Sequence, residues 1–101
     1  MVVYHPDEGN TFANVGWTGF VGTITGMSMQ KLAISEIGVS YPDDSFGQGT
    51  DNTPPEKVKG TPFIFMLRDL LQFEKSLQGA TSHMETAERT CNLILGVGDG
   101  N

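Results

Sequence analysis

Cysteine is nearly missing: Cys91 is the single one in 101 residues, which excludes an internal disulfide framework and a cysteine-based zinc cluster. Cations are also few. Six Lys and Arg against twelve Asp and Glu leave a formal net charge of −6, and without clustered basic residues no nucleic-acid partner is expected. No apolar run approaches the roughly 20 residues of a membrane helix, so no transmembrane segment is expected. The start, MVVYHPDEGN, lacks the basic-then-apolar order of a signal peptide. Two histidines, His5 and His83, with scattered carboxylates do not make a metal-ligand pattern, and no metal is expected.

What is present is glycine, thirteen residues of it, with nine per cent aromatics on a background of 18% charge. This composition fits one small, tightly turned, sheet-rich domain. The first forty residues read as an antiparallel meander: strands at Val2 to His5, Thr11 to Trp17, Phe20 to Gly26 and Leu32 to Val39, separated by turns at 6–10 and at Gly26-Met27-Ser28. In the fourth strand Leu32, Ile34 and Glu36 face one way, and Ala33, Ser35, Ile37 and Val39 the other. Residues 41–60, rich in proline and polar side chains, read as a long loop.

Helices follow over 61–90. Thr61 as N-cap and Pro62 at the first position open one helix, in which Phe63, Met66, Leu67, Leu70 and Leu71 recur at helical spacing. A second begins after Ser76, with Leu77, Ala80, Met84 and Ala87 on one stripe and Gly79 as its weak point. Residues 91–101 read as a short apolar strand and a turn. The expected class is α+β: an antiparallel sheet with a helical layer, the whole chain forming a single partial domain. A closing turn signal at Gly98-Asp99-Gly100 and an unpreceded first strand read as a piece of a larger sheet.

Motifs with catalytic potential are sparse. Cys91 opens an apolar strand, where an inert buried thiol is the usual outcome. Asp43 and Asp44 are adjacent loop carboxylates. Gly16, Gly19 and Gly22 imitate a phosphate loop, but a dinucleotide fingerprint must run into a helix, and here the sequence continues as strand. Glycines so placed mark bulges or close backbone approach. Ser28, Glu36 and Trp17 read as structural on periodicity alone.

The stretch GWTGFVGTITGMSMQKLAISEIG, residues 16–38, resembles a region of the N-terminal-nucleophile (Ntn) hydrolases that cleave amide bonds: acid ceramidase, N-acylethanolamine acid amidase and their isopenicillin-N acyltransferase-like relatives. The corner Gly26-Met27-Ser28-Met29-Gln30-Lys31-Leu32 is similar to Gly-Met-Asn-Glu-Lys-Gly-Leu of the choloylglycine (bile-salt) hydrolases. PFIFMLRDLLQFEKSLQGA and CNLILGVGDGN resemble the later helices, core strand and turn. The resemblance implies part of an αββα Ntn-hydrolase sandwich and a parent cysteine amidohydrolase or acyltransferase acting on a linear amide. Its substrate would be an acylated small molecule or lipid-like compound, and no cofactor is implied. By the same resemblance Ser28 stands at the oxyanion donor's place, and Glu36 near a site glutamate. Lys31 replaces a turn glycine, implying a different hairpin backbone. The family nucleophile would lie upstream of Met1, so the chain alone is expected to be an inactive fragment with the parent's remainder missing on both sides. Secretion or a lysosomal location is compatible with the family. The alternative is a non-catalytic small α+β binding or interaction domain.

Overall fold

A computed structural model describes residues 1–38, 60–88, 90 and 93–100. The expected 41–60 loop, Asp43, Asp44 and Cys91 lie outside these residues, apart from Gly60. The described chain is an α+β unit: five antiparallel strands, β1 (Val2–Tyr4), β2 (Phe12–Val15), β3 (Thr25–Ser28), β4 (Ala33–Gly38) and β5 (Leu93–Gly98), in the spatial order β1-β2-β3-β4-β5. Helices α1 (Phe63–Phe73) and α2 (Leu77–Thr86) lie between β4 and β5 in sequence. Among the described residues there is one sheet and one helical layer, so the second sheet of the expected sandwich is not part of what the structure describes.

The helical layer follows from the period of α1. Met66, Leu67, Leu70 and Leu71 are fully buried against Phe12, Leu32 and Ile34 of the sheet side and Ala80 of α2. Each such side chain removed from water is worth about 1.5–3 kcal/mol. Tyr4 stacks on Phe12 at 4.9 Å, and the Arg68 guanidinium lies 4.7 Å from the Tyr4 ring centre, closing this side of the core.

Two junctions fix the helices to the sheet, and a third closes the helical layer on itself. Asn10, buried, donates from its amide nitrogen to the backbone of Leu71 (3.3 Å) and Glu74 (2.8 Å), and its own N–H donates to Gln72 O at 2.6 Å. These are the carbonyls a helix end leaves unpaired. Gly9 has a φ of +91°, and a Cβ there would stand 2.5 Å from Gln72 O, so the β1–β2 turn needs glycine for this approach. The second junction is the 16–24 connection. Thr23 N–H donates to Ile64 O at 2.9 Å, Arg68 Nη1 to Val21 O at 2.6 Å, and a Cβ on Gly22 would lie 2.5 Å from Ile64 Cβ. Here the structure corrects the strand expected over 20–26. Val21 O and Thr23 N–H bond to α1 in place of a ladder partner, and β3 starts at Thr25.

The third junction is at residue 61. Thr61 N–H bonds to Glu88 O at 3.0 Å. The N-cap position of α1 falls on Pro62 rather than on Thr61, with no side-chain cap. At α2 the cap is Ser76, whose hydroxyl accepts from Gly79 N–H at 3.1 Å. Gly79 also leaves room for the Glu74 carboxylate, which a Cβ would meet at 2.5 Å.

Candidate functional site

Because side chains alternate across a strand, residues paired across the ladder share a face. One set contains Phe12, Ser28, Ile34 and Leu95 and turns towards the helices. The other set forms three rows on the uncovered face: Val3-Ala13-Met27-Ala33-Gly98, then Val15-Thr25-Ser35-Gly96, then Ile37-Ile94. None of these side chains is charged. Met27 is 56% exposed, Ile37 67% and Ile94 57%. A contiguous, uncharged and exposed apolar face is the usual mark of an interaction surface.

At one end of this face lies a hollow of about 830 Å³, lined among others by Val3, Ala13, Met27, Lys31, Ala33 and Gly98. Its floor ends at the β3–β4 hairpin. Ser28 N–H donates to Leu32 O (2.8 Å), Lys31 N–H to Ser28 O (3.0 Å), and Met29 N–H to Thr11 O (2.9 Å). Lys31 has a φ of +64°, the left-handed conformation closing a three-residue hairpin loop. Lys31 thus holds a left-handed conformation that glycine adopts more readily than lysine.

Ser28 is 5% exposed, and its Oγ is buried with no hydrogen-bond partner among the described residues. By register it stands beside Phe12, on the helix-facing side. Glu36 pairs with Leu95 on that same side, half-buried. The catalytic parts given to Ser28 and Glu36 were implied by the hydrolase resemblance, and among the described residues no hydrogen bond of Ser28 Oγ joins it to Glu36. Trp17 is exposed and meets Phe20 edge-to-face at 5.7 Å. His5 Nδ1 lies 3.3 Å from Thr11 Oγ1, whereas His83 Nδ1 lies 3.0 Å from Glu74 Oε1 on the helical layer. Among the described residues no three His, Cys, Asp or Glu side chains are grouped to hold a metal ion. No described helix is long and apolar enough to cross a membrane.

A buried polar pair was not visible in the sequence. Asn14 donates to Gly22 O at 3.0 Å and accepts from Thr23 Oγ1 at 2.8 Å, tying β2 to the 16–24 connection. Its signal, an asparagine between Ala13 and Val15 in a strand, became interpretable once the partners were in place.

No family model matches the chain, and no solved structure matches it. Two curated proteins of Dictyostelium discoideum do match: Protein dcd1B is 37% identical over 100 residues and Protein dcd1A 34% over 105, each across 97% of this chain. Neither name is that of a hydrolase, and this overturns the Ntn-hydrolase resemblance together with the amidohydrolase, amidase and acyltransferase activity it implied. Nothing on the surface of the described residues supports an acylated substrate. Along nearly its whole length the chain is similar to these two Dictyostelium proteins, and it spans 18% of dcd1B and 21% of dcd1A.

Proposed function

We propose that this chain is a non-catalytic α+β interaction module whose uncovered sheet face docks an apolar β-sheet, completing an α-β-β-α layering. The observation that carries this reading is the set of three uncharged rows across all five strands, exposed opposite the helical layer. A second sheet stacking about 10 Å away with its strands roughly aligned is the arrangement that buries such a face. The breadth of the relatives supports the same reading, since four-fifths of each lies outside the matched region. A module of this kind contributes surface and rigidity, and needs no nucleophile.

The test uses the dye anilinonaphthalene sulfonate at low micromolar protein. Met27→Gln and Ile94→Gln together should lower dye fluorescence several-fold. The thermal midpoint should move by no more than about 4 °C, as for exposed positions. Unchanged dye binding would refute an accessible docking face. Loss of the fold would refute it as well, because it would place these side chains in the module's own core.

A further inference from the structure

We infer that the sheet docked on this face is a second copy of the same chain, related by a two-fold axis crossing the strands above Ser35 and Gly96. This rests on the docking reading above and names its partner.

The first support is shape. On the uncovered face, β4 and β5 present a small pair, Ala33 and Gly98, then Ser35 and Gly96, then a bulky pair, Ile37 and Ile94. A half-turn about an axis across the strands keeps β4 and β5 over their counterparts and exchanges the two ends. Each Ile37–Ile94 knob then comes over the Ala33–Gly98 pair of the other copy, where the 830 Å³ hollow lies. In the middle, Ser35 and Gly96 face themselves and let the backbones approach. An isologous contact requires this reciprocity, each patch meeting its own complement.

Charge is the second support. With a net charge of −6, two copies approaching by most surfaces would oppose carboxylates. The described acids lie off these rows: Asp7 and Glu8 in the β1–β2 turn, Asp69, Glu74, Glu85 and Glu88 in the helical layer, Glu36 on the helix-facing side, and Asp99 after β5, where it lines the hollow together with Lys31. The three rows hold none. Exposure is the third: Val3, Val15, Met27, Ile37 and Ile94 of this face are 49–67% exposed, the contiguous apolar surface that a protein–protein contact covers.

Sedimentation equilibrium on the 101-residue chain tests this. The wild type should pass with rising concentration from the monomer mass to twice it. Ser35→Lys and Ser35→Glu should each weaken association at least tenfold, since like charges would meet across the axis. An equimolar mixture of the two should restore the dimer. A Ser35→Lys chain that dimerises like wild type would overturn the inference, as would folded single variants that fail to associate when mixed. A wild type still monomeric at millimolar concentration, with dye binding still lost in Met27→Gln/Ile94→Gln, would remove the second copy and leave the docking face standing. Unaltered dye binding would remove both.

Discussion

Replacing Asn14 by alanine should cost this protein a large share of its stability, although Asn14 is polar and touches neither helix through its hydrogen bonds. Its side chain is buried, 6% exposed, and makes two bonds, to Gly22 O and from Thr23 Oγ1. Each neutral bond is worth about 1 kcal/mol net, and a buried partner left unpaired costs about 1–3 kcal/mol more. Thr23 is 1% exposed, so its hydroxyl could not turn to water. The loss should therefore come to about 3 kcal/mol, against a total of roughly 5–15 kcal/mol for a small domain. Urea unfolding followed by far-UV circular dichroism measures it as a shift of midpoint at constant slope. Thr23→Val should cost less, about 1–2 kcal/mol, because it strands one acceptor and keeps the Asn14–Gly22 bond. The double variant should cost less than the two single losses added together, since both break the same bond. An Asn14→Ala loss under 1 kcal/mol, or strict additivity, would refute the view of this pair as a shared buried anchor.

Two further substitutions probe the sheet. Ser28→Ala removes a buried hydroxyl that has no partner among the described residues, so it should be neutral or stabilising by up to about 1 kcal/mol; a loss above that in thermal unfolding would reveal a partner and sink the assignment. Gly26→Ala places a Cβ 2.5 Å from Ala13 O and 2.7 Å from a Leu71 methyl. Overpacking of this sort costs about 1–3 kcal/mol, and a variant as stable as wild type by urea unfolding would show that β3 can shift away from α1.

The parts of this fold legible in the sequence are those governed by local period and capping. The i, i+3, i+4 recurrence from Phe63 to Leu71 marks α1, Ser76 marks the start of α2, and alternation along Leu32 to Ile37 separates the buried Ile34 from the exposed Ile37. Features set by distant contacts were not legible. Residues 20–26 read as a strand, yet Val21 O and Thr23 N–H are bonded by Arg68 and Ile64, more than forty residues away, and Gly22 O by the Asn14 side chain. Thr61 is a good capping residue, yet the N-cap position falls on Pro62. The uncovered face needed the register of five strands before its rows could be assembled, and sequence alternation in β4 revealed one column of it. The corner expected at Gly26-Met27-Ser28 misled for a related reason. Those three residues belong to β3, and the chain turns at Met29-Gln30-Lys31, closed by the left-handed Lys31.

Asn10 reaches across more than sixty residues of sequence to hold the last carbonyls of α1. The first hairpin thus cannot peel from the molecule without uncapping the helix, and the helix cannot fray at that end without releasing the hairpin. Amides of β1–β2 and of the final turn of α1 should accordingly open to solvent exchange together, as one cooperative unit, although more than fifty residues of sequence separate them.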